Sequence, residues 1–147
     1  VLDFGVAALA DSSSTLTHGG VIGTPAYMSP EQARGEPVDH RADVYALGAV
    51  IYRCVTGRVP LSAGDTPSLL YAVIHDMPLR PSAIAKIDPD LEHVLLLALA
   101  KVRDERIATA AELVAAFEAA TTGSLPDELV RRARALARRH PWSEPPS

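Results

Sequence analysis

The sequence predicts a mainly α-helical chain, and three observations carry that prediction. Hydrophobic residues make up 48% of the chain but aromatic residues only 5%, and the abundance of Ala and Leu favours helix packed on helix over sheet. Between residues 88 and 102, Leu91, Val94, Leu95, Ala98 and Val102 recur at helical spacing. Cap signals also punctuate the chain, among them Gly57 after a long apolar run and the Thr109-x-x-Glu112 pattern of a capping box. A length of 147 residues and a net charge of −4 fit one globular domain rather than a disordered segment.

Taken in order, residues 1–24 lack helical periodicity and contain "DSSSTLTHGG", which reads as an exposed loop. No Lys or Arg precedes Arg34. From Asp43 to Thr56 the run "DVYALGAVIYRCVT" is apolar on nearly every face, with Asp43 as its cap and Gly57 as its stop. A helix of that kind is expected to be buried on all sides at the centre of the fold. A shorter, more exposed helix follows over residues 66–77, with Asp65 or Thr66 as N-cap and Pro67 in its first turn. The helices of "DPDLEHVLLLALAKV" and "AAELVAAFEAA" complete a predicted core of four. The last stretch begins with a turn and continues as an Arg-rich helix with Leu129, Ala133, Leu136 and Ala137 on one side. It ends Pro-rich, with its final residues expected to be disordered.

Several function classes fall away on composition. Cys54 is the sole cysteine, so no internal disulfide forms, and its apolar neighbours predict a buried side chain rather than a nucleophile. The five histidines show none of the spacings of a zinc site. No apolar run approaches the ~18 residues of a membrane span, and no signal segment opens the chain, so the expected location is cytoplasmic, with membrane tethering of the parent left open. Nothing in the pattern of charge suggests a nucleic-acid partner. Charge is nonetheless uneven: residues 126–147 carry five Arg against three acidic residues, a surplus of two, which leaves −6 on the remainder.

One ordered set of motifs stands out: Asp3-Phe4-Gly5, a Ser/Thr-rich loop, "GTPAYMSPE", "HRADVYALG" and a late Arg106. Together they resemble the C-terminal lobe of a protein kinase, most closely the bacterial eukaryotic-like (Hanks-type) serine/threonine kinases. The resemblance runs from residue 1 to about residue 120 and implies a partial C-lobe, an activation segment followed by a helical bundle. It places a kinase unit over residues 1–122 and a basic helix with a Pro-rich tail or linker over 123–147.

The resemblance implies a role for each matching residue. Asp3 is similar to the aspartate that holds Mg²⁺ against the ATP phosphates, a hard cation that takes oxygen ligands. Phe4 and Gly5 match the apolar residue and the flexible glycine beside it. Thr15 and Thr17 stand where such kinases carry activating phosphothreonines, with Ser12 to Ser14 weaker candidates. A phosphate there would add roughly −1.5 to −2 charge and order the loop by pairing with Arg. Thr24 matches a threonine that contacts the catalytic loop and favours Ser or Thr acceptors.

Glu31 and Arg106 resemble a buried pair that ties the activation segment to the later helices, with Arg103 as the rival cation. Asp43 is similar to the aspartate that anchors the catalytic loop. Ser29 stands where the family more often has Ala.

The 147 residues contain no Gly-rich phosphate loop, strand lysine, His-Arg-Asp loop or second metal-binding Asn. In the family these parts precede Asp-Phe-Gly, so the chain reads as a piece of a kinase. Phosphoryl transfer depends on positioning every one of them. The piece is therefore expected to be inactive alone and to bind neither ATP nor Mg²⁺ tightly, although the parent uses both. The helix at 43–56 is expected to expose an apolar patch where an upstream helix would pack.

The parent's partners are expected to be protein substrates, with kinase–kinase contact open and membrane contact confined to the basic tail. A non-catalytic alternative keeps residues 23–28 and the 66–77 helix as a docking module for substrates or partners.

Overall fold

The computed structural model describes residues 25–146. After a 3-10 turn at Pro25–Tyr27 come six helices: α1 (Pro30–Ala33), α2 (Arg41–Thr56), α3 (Thr66–His75), α4 (Pro89–Ala98), α5 (Ala110–Thr121) and α6 (Asp127–Arg139). Further 3-10 turns lie at Pro81–Ala83 and Arg103–Glu105. Among the described residues the only β pairing is an isolated parallel bridge between Leu79 and Ser143, so the mainly helical expectation holds.

Polar caps set most of the boundaries. The Asp65 carboxylate accepts from the Ser68 N–H at 2.7 Å, and Thr109 Oγ1 accepts from the Glu112 N–H at 3.1 Å. Pro67 and Pro89 occupy first-turn positions, where a missing N–H costs nothing. Gly57 ends α2 at φ 80°, a left-handed conformation that a Cβ would strain.

The start of α2 differs from its prediction. The helix begins at Arg41, and Asp43 lies inside its first turn instead of capping it. The carboxylate serving the entry is that of Asp39, which accepts from the Arg41 N–H at 2.9 Å and also from the Arg41 guanidinium. An Asp two residues ahead of the first free N–H can bond it locally, and this outcompetes a cap four residues later.

α2 is also not buried all round. Val44, Tyr45, Gly48, Ala49 and Tyr52 face the core, but Val50 is 44% exposed, and Arg53 and Cys54 are exposed too. The Cys54 thiol is thus not the buried side chain expected from its neighbours. It sits one turn beyond Val50 on the outward side, and local hydrophobicity carried no information about that direction.

The core centres on α4, which packs on α2, α5 and α6. Gly48 makes the α2–α4 contact possible, since a Cβ there would stand 2.7 Å from the Ala98 Cβ. The fourth core helix is α6, not α3. Ala133 and Leu136 join the central cluster, whereas α3 lies against α1 and the Pro25–Tyr27 turn. α4 stops at Ala98, before the predicted 102, and the chain then turns, leaving Val102 47% exposed.

The C-terminal stretch is tied down rather than loose through residue 144. Trp142 is 8% exposed, with its ring 6.4 Å from that of Tyr52. Ser143 donates its N–H to the Pro78 carbonyl and its hydroxyl to the Met77 carbonyl, and it accepts from the Arg80 N–H. Arg80 also forms a fork with Glu144, its Nη2 2.7 Å from Oε1. One buried aromatic and this short ladder outweigh the disorder tendency of a Pro-rich end.

Candidate functional site

α1 has only four residues, and its first turn is built by Ser29. The Ser29 hydroxyl accepts from the Gln32 N–H at 3.3 Å, while Gln32 Oε1 accepts from the Ser29 N–H at 2.9 Å. This is a reciprocal capping box over "SPEQ", and its Ser-x-x-Gln signature is a local signal for this turn in the sequence. The box fixes the turn that carries Glu31 inward, where the residue is 2% exposed.

Arg106 meets it there. Arg106 Nη1 and Nη2 donate to the two Glu31 carboxylate oxygens at 2.8 and 2.9 Å, a bidentate fork. Two of the three remaining donors are used as well: Nε reaches the Ala100 carbonyl at 3.1 Å and Nη1 the Arg41 carbonyl at 2.7 Å. The guanidinium also sits 5.3 Å from the centre of the Tyr45 ring. Burial alone would push the Glu31 pKa up, but the Arg106 hydrogen bonds and charge outweigh it and hold the carboxyl below its ordinary value. The same burial raises the Tyr45 phenol far above its usual range.

The rival cation does not reach Glu31. Arg103 Nη1 donates instead to the Pro37 carbonyl at 2.9 Å. Nearby, Arg41 bridges Asp39 and Asp104, and Arg53 donates to the Tyr27 hydroxyl at 2.6 Å. α1, the start of α2 and the 100–106 loop are therefore joined through arginines, and the Pro25–Tyr27 turn is tied to the last turn of α2 by Arg53. Asp43 lies in the first turn of α2 beside this junction.

Asp3, Phe4, Gly5, Thr15, Thr17 and Thr24 lie outside the described residues. Among the described residues no group of three His, Cys, Asp or Glu side chains comes together as a metal site. An open cavity of about 580 Å³ lies between the end of α2, α3 and the C-terminal ladder, lined by Tyr52, Arg58, His75, Asp76 and Ser143 among others. It includes none of the residues singled out by the motifs. Among the described residues no helix is long and apolar enough to cross a membrane.

Comparison with known proteins settles the family. The family described as "Protein kinase domain" matches residues 1–118. The chain belongs to the protein kinase family. Within it, the chain is 47% identical over 131 residues to the serine/threonine-protein kinase PknB of Mycolicibacterium smegmatis, a match covering 86% of this chain and 21% of that protein. It is 46% identical over 131 residues to PknB of Mycobacterium tuberculosis, with the same coverage. It is also 43% identical over 136 residues to the serine/threonine-protein kinase Pkn1 of Myxococcus xanthus, covering 91% of this kinase chain and 19% of that protein. The chain thus spans about a fifth of the length of the curated relatives it matches.

Proposed function

We propose that this chain supplies the magnesium aspartate, the activation segment and the helical substrate-side half of an ATP-dependent kinase that phosphorylates Ser or Thr in proteins. The observation that carries the reading is the likeness to serine/threonine-protein kinases over most of the chain, together with "GTPAYMSPE" and its Glu31 clasped by Arg106. In this reading Asp3, flanked by Phe4 and Gly5, holds Mg²⁺ against the ATP phosphates, and Thr24 contacts the catalytic loop of the complete enzyme. Thr15 and Thr17 receive activating phosphates. Asp43 supports the catalytic loop from the first turn of α2. The kinase unit extends over residues 1–122, with 123–147 an extension packed against it.

The 147 residues alone lack the Gly-rich loop, the strand lysine and a base to accept the hydroxyl proton, so the reading makes them inert alone. A test of acceptor type replaces the corresponding stretch of the M. smegmatis relative with this chain. Phosphoamino-acid analysis of a protein substrate is then expected to return phosphoserine and phosphothreonine. Phosphotyrosine as the main product, or a folded chimera that transfers no phosphate, contradicts the reading.

A further inference from the structure

Fourteen Lys and Arg side chains are spread along this acidic chain, and among the described residues most are committed. Arg34, Arg41, Arg80, Arg106 and Arg139 form ion pairs. Arg53, Lys101 and Arg103 donate to a tyrosine hydroxyl or to carbonyls. That leaves Arg58, Lys86, Arg131, Arg132, Arg134 and Arg138 with no ion pair or side-chain hydrogen bond among the described residues, and four of these six stand on α6. Arg131, Arg134 and Arg138 are exposed and recur at i, i+3 and i+7, so they form one outward row. Arg132 is set apart, its surroundings shared with Glu112 and Glu128 on one side and Asp104 and Glu105 on the other.

The opposite side of α6 is spent on the fold. Ala133 and Leu136 are buried in the core, and Leu129, Val130 and Ala137 pack against it. The helix therefore has no apolar face left to insert into a lipid layer. What it presents, beyond an acidic first turn, is a convex row of arginines about 10 Å long carrying free positive charge without a groove or an aromatic anchor. A peptide docked by its apolar side chains or as an added strand needs a groove or a sheet edge; a charged plane needs only the potential.

We propose that the Arg131–Arg134–Arg138 row is a peripheral docking face for an anionic bilayer surface, held by charge alone. The −6 carried by residues 1–125 is repelled by the same surface, so the two ends of the charge distribution cooperate in turning α6 toward it. Binding held this way is weakened by salt. The inference rests on the packing of α6 and on the distribution of charge along the chain, and is independent of the kinase reading.

The test is co-sedimentation of the 147-residue chain with vesicles of phosphatidylcholine alone and of phosphatidylcholine mixed with phosphatidylglycerol, at low and raised salt. The proposal expects binding to the mixed vesicles only, fading as salt rises. The triple variant R131Q/R134Q/R138Q should bind roughly a hundredfold more weakly, and the corresponding triple Lys variant should bind nearly as the parent does. Circular dichroism shows whether each variant keeps its helices. Equal binding to neutral vesicles, no binding to anionic ones, or undiminished binding by the folded triple Gln variant overturns the proposal. Binding to polyglutamate but not to vesicles would instead assign the row to an acidic protein partner, and overturns it too.

Discussion

The Arg106 guanidinium grips the Glu31 carboxylate through two hydrogen bonds across seventy-five positions of the sequence, with both side chains almost wholly withdrawn from water. Deleting one member leaves the other charge buried and unpaired, which costs on the order of 3–5 kcal/mol. Glu31→Gln and Arg106→Met are each expected to lose stability on that scale in urea unfolding. The double variant should lose less than the sum of the two, because no orphaned charge remains.

Acid should erase the difference. Unfolded Glu31 takes up a proton near its ordinary value of 4.5, whereas the folded residue holds out to lower pH because of Arg106. The pair's contribution is complete above that ordinary value and is lost as pH falls through the folded one. The gap between the native chain and Glu31→Gln is therefore expected to be widest at neutral pH and to close in acid. A constant gap would contradict the assignment.

Gly48 sets how near α2 and α4 can come. A Cβ at this position would lie 2.7 Å from the Ala98 Cβ and 3.4 Å from the Leu99 Cδ2. Gly48→Ala is expected to cost about 1–3 kcal/mol through overpacking, despite the better helix propensity of Ala. Combining it with Ala98→Gly should return part of the loss in the same unfolding measurement.

The C-terminal ladder is expected to be part of the cooperative fold. Trp142→Ala should cost about 3–5 kcal/mol, and Tyr52→Phe about 1 kcal/mol through the lost bond to the Leu79 carbonyl. If residues 141–144 were independent of the bundle, Trp142→Ala would instead fall within about 0.5 kcal/mol.

Lys101 gives a signature in alkali. Burial lowers its pKa from 10.5 to about 8, even though its amine donates to the Val73 carbonyl. Between these two values the unfolded chain binds more protons than the folded one, so this group makes stability rise with pH there. The buried Tyr45 and Tyr52 phenols, both raised, act in the opposite direction once unfolded tyrosine ionises above its ordinary 10. The urea midpoint should thus increase in mild alkali for the native chain. Lys101→Met should abolish that increase.

Much of this was legible in the residues because the signals were local. Asp65, Thr109 and Gly57 act on N–H and C=O groups within four positions of themselves, and they mark helix ends where the structure has them. The Glu31–Arg106 encounter was readable by another route, since two charges that resemble a family's pair need each other once buried. What escaped depended on direction or on competition. Cys54 and Val50 lie in a run too uniformly apolar to show which side faces out. Asp43 looked like a cap until Asp39 took the entering N–H. The apolar side of α6 was legible, but its Arg-rich composition did not show that Ala133 and Leu136 make it the fourth helix of the core.

On the proposed function, this chain holds one part of a phosphoryl-transfer apparatus and needs the other parts for transfer. The most direct test mixes the purified chain with a separate polypeptide bearing the Gly-rich loop, strand lysine and catalytic loop of the M. smegmatis relative, and follows transfer of the ATP γ-phosphoryl group to protein. The account predicts no transfer by either piece, transfer by the mixture, and loss of it with Asp3→Asn. Transfer by the 147 residues alone, or none from a complex shown to form and fold, would contradict it.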